Sequence, residues 1–70
     1  MSEKIVYLEW PAGDYAFRVG KGAAVGTIVK SIRLEKETPS FLRYVIDFED
    51  GSTMVIEGTN ILTKREKSNE

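Results

Sequence analysis

The chain has 70 residues, with ten Lys plus Arg against eleven Asp plus Glu, a formal net charge of −1, and neither cysteine nor histidine. That length limits it to one domain with a small core, one that buries only about 60% of the surface its unfolded form exposes. The composition excludes a disulfide and a conventional zinc site, and it removes the bulk electrostatic case for nucleic-acid binding.

A domain this short of core is usually completed by a disulfide, a metal or another subunit. With the first two gone, the expectation is a protein partner or a homo-oligomer. No signal-peptide pattern and no apolar run of membrane-spanning length is seen, so no membrane association is expected. The lack of cysteine fits a reducing cytoplasm, and no cofactor or metal is expected.

Glu3 to Trp10 reads as a first strand, with Ile5, Val6, Tyr7, Leu8 and Trp10 suited to a pleated surface. Pro11-Ala12-Gly13-Asp14 is a turn, and Tyr15, Phe17 and Val19 alternate with Ala16 and Arg18 in a second strand. A register that pairs Trp10 with Asp14 sets Ile5 and Tyr7 beside Tyr15, Phe17 and Val19. Val6, Leu8 and Trp10 then form a stripe on the opposite face, an exposed contact patch unless Trp10 caps the core. Gly20-Lys21-Gly22 ends the strand, and Gly22 is expected to take a left-handed conformation.

Ala23 to Glu37 carries two patterns. Val25, Ile28, Val29 and Ile32 lie at helical spacing, whereas Ile28, Ile32 and Leu34 fit one face of a strand. Gly26, the β-branched run and the lack of an N-cap favour a long bent strand. A polar loop, Glu35 to Ser40, follows, with Pro39 as its stop.

Tyr44 to Ile56 holds two apolar runs around Asp50-Gly51, a strong hairpin signal. A two-residue loop would mix polar and apolar residues on each face. A three-residue loop, Glu49-Asp50-Gly51 with Gly51 left-handed at a bulge, pairs Phe48 with Ser52, Ile46 with Met54 and Tyr44 with Ile56. That register puts Tyr44, Ile46, Phe48, Met54 and Ile56 on one face, with Arg43, Asp47, Thr53 and Glu57 on the other, and is the one predicted. Residues 1–63 are therefore assigned to a single all-β barrel. Residues 64–70, which lack any apolar side chain, are assigned to a disordered charged tail.

From about Phe17 to Arg65 the chain resembles the SH3-like small β-barrels, the Tudor branch most closely. The resemblance rests on Gly26-Thr27-Ile28, on Tyr44 to Gly51, and on Val55-Ile56-Glu57-Gly58 leading to Asn60-Ile61-Leu62. It implies five to six bent antiparallel strands, here with an additional amino-terminal hairpin and a short helical turn at Asn60 to Leu62. It also implies a module that binds rather than catalyses. Tudor modules hold methylated cations in aromatic cages. Phe48 and Asp50 match two cage positions, Trp10 and Tyr15 are the other candidate rings, and Ser52 stands where the pattern has an aromatic.

The leading expectation is a non-catalytic adaptor or small inhibitor that self-associates, with Leu8, Trp10, Tyr15, Phe48 and Asp50 as its protein-binding residues. The alternative is single-stranded nucleic-acid binding by Arg18, Lys21, Lys30, Arg33 and Arg43, with Phe41 and Tyr44 as stacking rings. Phe17 to Lys21 before Gly26-Thr27-Ile28 also resembles a ribosomal KOW element. An enzyme is not expected, since the usual general base and thiol nucleophile are missing. Type II dihydrofolate reductases share the barrel, but their Val-Gln-Ile-Tyr run aligns with Met54-Val55-Ile56-Glu57, which lacks the Gln and the Tyr.

Overall fold

The computed structural model describes residues 3–23 and 26–67. Six antiparallel strands make one curled sheet, a half-barrel. They are β1 (Glu3–Trp10), β2 (Tyr15–Arg18), β3 (Val29–Glu37), β4 (Leu42–Phe48), β5 (Thr53–Gly58) and β6 (Leu62–Lys67). The order is β2-β1-β3-β4-β5, and β6 pairs with β1. The one helical element among the described residues is a 3-10 turn at Pro11–Gly13. No helix there is long and apolar enough to cross a membrane.

The central hairpin has the predicted bulged loop. Ile46 pairs with Met54 and Tyr44 with Ile56, the Phe48 N–H donates to the Ser52 carbonyl, and Gly51 has φ 93°. A side chain resists that left-handed conformation, which is why Gly fits there. Tyr44, Ile46, Phe48 and Ile56 are all buried on one face as a result.

The ambiguous segment is a strand over Val29–Glu37, not a helix. Its bend has a physical source in two irregularities, one between Val29 and Ser31 and one between Leu34 and Lys36. A bulge adds a residue to one strand and increases local twist, so a nine-residue strand can follow a curled sheet. Residues 26–28 precede the strand and are joined to the first half of the chain by a Gly22–Ile28 bridge. Val25 lies outside the described residues. The left-handed glycines of this connection are Gly20, with φ 86°, and Gly26, with φ 96°, and not Gly22.

The first hairpin corrects the expected register. Trp10 pairs with Tyr15 and Leu8 with Phe17. Pro11 to Asp14 make the loop, with Asp14 itself left-handed at φ 57°. An irregularity in β1, between Ile5 and Tyr7, sets Val6 out of the alternation. Ile5, Leu8 and Phe17 therefore all reach the same core, and the Val6-Leu8-Trp10 stripe does not form. Leu8 is 0% exposed.

The charged end of the chain is also strand. Lys64, Arg65, Glu66 and Lys67 pair with Tyr7, Ile5, Lys4 and Glu3, so the tail expected from residue 64 is ordered in β6 through Lys67. Opposite charges face each other at Lys4–Glu66 and Glu3–Lys67, an arrangement that favours cross-strand pairing. Residues 68–70 of that tail lie outside the described residues. No helical turn precedes β6: Gly58 ends β5, Leu62 begins β6, and the intervening Ile61 is buried in the core.

Candidate functional site

The candidate rings form a row within the barrel, not a cage. Trp10 stacks on Tyr15 at 6.1 Å and 8°, Tyr15 on Phe17 at 5.8 Å and 21°, and Phe17 meets Phe48 edge-on at 6.2 Å. These separations and angles are the offset and T-shaped arrangements that aromatic quadrupoles favour. Phe48 is 3% exposed, and Phe17 stands between it and the other two rings. A cage of Trp10, Tyr15 and Phe48 is therefore replaced by core packing.

Trp10 is partly buried and packs against the core. Its ring lies against Gly13, where a β-carbon would stand 2.3 Å from the indole, and its Nε1 lies near Gly58. That Nε1–H is buried without a hydrogen-bond partner. The core-capping alternative for Trp10 is the arrangement found.

Asp50 is occupied locally. Its carboxylate accepts from the Ser52 N–H at 2.8 Å and from the Ser52 hydroxyl. These bonds, the hydroxyl first, hold the Asp50 carboxyl below the usual carboxylate range. A shallow groove of about 260 Å³ runs beside this turn, lined by Lys30, Ser31, Asp47, Phe48, Gly51 and Ser52. It is smaller than most small-molecule sites. A second groove of about 240 Å³ lies at Thr38 to Leu42 and Thr59.

The outer face of β3, β4 and β5 carries two ion-pair rungs. Arg33 Nε donates to Asp47 at 3.1 Å, and the Ser31 hydroxyl donates to the same oxygen at 3.0 Å. Arg43 bonds Glu57 through Nε and lies 3.6 Å from Glu35 through a terminal guanidinium nitrogen. The Arg33 and Ser31 hydrogen bonds pull the Asp47 carboxyl below its ordinary value. The Glu57 hydrogen bond is the main cause that raises the Arg43 guanidinium. Between Asp47 and Arg43 on β4 lies Val45, which is aligned with Arg33 on β3 and Val55 on β5. Val45 is buried, while Val55 is 54% exposed.

The proposed basic residues are thus divided. Arg33 and Arg43 are ion-paired on this face, Lys30 is at the groove, and Lys21 is exposed in the Gly20–Gly22 turn. Arg18 stands 5.0 Å over the Tyr7 ring on β1, and Lys64 approaches that ring at 5.5 Å. Tyr7 and Lys64 were not among the sequence candidates. Lys64 belongs to a segment without apolar periodicity, so only the β1–β6 pairing reveals their meeting. The Tyr7 hydroxyl donates to Glu9, and its pKa is raised by desolvation first and the Glu9 charge second. Of the two expected stacking rings, Tyr44 is 4% exposed and belongs to the core. Phe41 is half-buried under Arg43 at 5.8 Å.

Among the described residues, no group of three or more acidic side chains is placed to hold a metal ion. The sheet does leave edges. Among the described residues β2 and β6 each pair only with β1, and β5 only with β4. Compared with known proteins, the chain matches no family model, no curated protein and no solved structure at a significant level.

Proposed function

We propose that the protein is a non-catalytic binding module, an adaptor or small inhibitor that acts through protein–protein contacts and self-associates. The observation that carries this reading is the β5 edge of the half-barrel, which no second strand pairs among the described residues, beside the exposed side chain of Val55. An unpaired row of main-chain donors and acceptors next to apolar surface is the feature that strand-adding partners use. The ion-paired Arg33 and Arg43 support protein over nucleic acid, because their charge is already met by Asp47, Glu35 and Glu57. Asp47 and Asp50, with lowered pKa values, are suited to staying ionised and poorly suited to general-base work. The bulged hairpin and the doubly irregular β3 support the finer likeness to an SH3-like barrel. A cytoplasmic setting suits a chain without cysteine.

A second reading, single-stranded nucleic-acid binding, draws on the Arg18–Tyr7–Lys64 cluster, which sets two cations on one ring. One comparison separates the two. Sedimentation equilibrium from about 5 to 500 µM is expected to show mass rising with concentration (concentrations chosen around micromolar affinity), while retention on single-stranded DNA or RNA columns is expected to be weak. Strong retention that falls steeply with salt, with a constant monomer mass, would reverse the order.

A further inference from the structure

Among the described residues, β2, β5 and β6 each pair with a single strand, and these edges differ in their protection. β2 is only four residues long and ends at Arg18. β6 carries Lys64, Arg65 and Lys67. Short strands and lysines are the usual devices against edge-to-edge pairing. β5, Thr-Met-Val-Ile-Glu-Gly, has six residues, one charge, no lysine and no proline. Its pairing with β4 runs without a bulge from Thr53 to Gly58.

The hydrogen-bond alternation says which of its groups are free. Phe48 N–H bonds the Ser52 carbonyl. In an antiparallel ladder bonded pairs alternate, so Met54, Ile56 and Gly58 address β4. Thr53, Val55 and Glu57 turn their main-chain groups to the open edge.

We infer that β5 pairs antiparallel with β5 of a second copy of this chain, about a two-fold axis at Val55. This deepens the proposed self-association and rests on that reading. The register is self-complementary. Val55 faces Val55 of the second copy, Thr53 faces Glu57 and Glu57 faces Thr53, so no like charges are opposed. All three facing pairs present free main-chain groups, which makes about six intermolecular hydrogen bonds. On the outer face the rung of Val45 and Val55 continues into its own image. On the core face Met54 meets Ile56, which extends the apolar row past the edge. Registers centred on Met54 or Ile56 would oppose groups already bonded to β4. A two-fold contact of this kind also closes at two copies, so it does not propagate into fibres.

Val55→Pro tests the inference, because the N–H it removes is unused within one copy and proline is tolerated on an edge in that position. Val55→Lys is the second variant, which keeps the N–H and sets two ammonium groups across the axis. The readouts are sedimentation equilibrium, hydrogen exchange at the Val55 amide, and Trp10 emission as the check of folding. Wild type is expected to reach twice the 7.9 kDa chain mass, with Val55 exchange slowing as concentration rises. Both variants are expected to keep wild-type emission and to associate at least about tenfold more weakly; if the proline variant does not fold, the lysine variant decides. A wild-type dimer that both variants leave intact would overturn this edge while sparing self-association. A wild-type monomer throughout would overturn both, as would Val55 protection that appears only with a different protein.

Discussion

Gly13→Ala is the sharpest test of the packing around Trp10. A β-carbon at Gly13 would lie 2.3 Å, 2.4 Å and 2.9 Å from three indole carbons. Gly13 is not among the positive-φ residues, so the effect is steric rather than a backbone strain. Restoring a carbon–carbon separation of about 3.5 Å requires the ring or the 3-10 turn to move by more than an ångström. The ring is not free to do so cheaply, because it is stacked on Tyr15, which is stacked on Phe17. Losing one stacking contact costs about 0.5–1.5 kcal/mol. Returning roughly a third of a tryptophan's ~200 Å² to water adds about 1.5 kcal/mol. The expected loss is about 2–3 kcal/mol, or a fall in Tm of about 10–20 °C for a domain of this size. Gly58→Ala is the control on the other side of the ring. Its β-carbon would stand 3.4 Å from Nε1 and 3.8 Å from Ile61, ordinary contact distances, and it removes freedom from the unfolded chain. Thermal melts followed by the emission of this single tryptophan read both variants. Gly13→Ala melting within about 3 °C of wild type with unshifted emission, or Gly58→Ala falling as far as Gly13→Ala, would refute the packing argument.

Two further predictions concern the central hairpin and its flank. Gly51→Ala places a side chain in open space but at φ 93°, so the cost is backbone strain alone, about 1–3 kcal/mol, read by urea denaturation. An unchanged midpoint would mean that the bulged loop is wrong. Asp47→Asn addresses acid stability. Because Arg33 and Ser31 hold the folded carboxyl below its ordinary value, the unfolded chain binds the proton first as pH falls. The contribution is complete above about pH 5 and is lost as pH drops through the lowered folded value. Melting temperatures from pH 6 to pH 2.5 are expected to fall more for wild type than for Asp47→Asn. Parallel curves would remove Asp47 from the acid limb.

What the sequence made legible depended on whether a strand kept its alternation. Tyr44, Ile46 and Phe48 before Asp50-Gly51 and Met54 and Ile56 after it keep a period of two, and only the three-residue loop sets all five on one face, so the register was readable. β1 looked equally clear but contains Val6, an extra residue out of step. A single bulge reverses the facing of everything beyond it, which turned Leu8 and Trp10 from an outer stripe into core and core cap. β6 was illegible for a different reason. It has one apolar residue, Leu62, and holds its place by main-chain pairing, by the opposed charges of Lys4–Glu66 and Glu3–Lys67, and by Lys64 over Tyr7. None of those leaves a periodic trace. The basic candidates failed to gather because Arg33 and Arg43 alternate outward onto a face where Asp47, Glu35 and Glu57 meet their charge.

The register of the first hairpin also changes where a partner is needed. With Leu8 and Trp10 outside, a second chain would have had to cover a face of β1, and the aromatic residues would have been the contact. With them inside, the row from Trp10 to Phe48 belongs to the stability of one copy, and its substitution acts on folding first. The deficit that remains is along an edge: β5 leaves the main-chain groups of three residues facing away from β4, with the exposed Val55 at its centre. A small core and an unblocked edge are complementary weaknesses. Pairing two copies through β5 satisfies the free main-chain groups and lengthens the apolar row that 70 residues cannot extend alone, so folding and association are expected to reinforce each other by mass action.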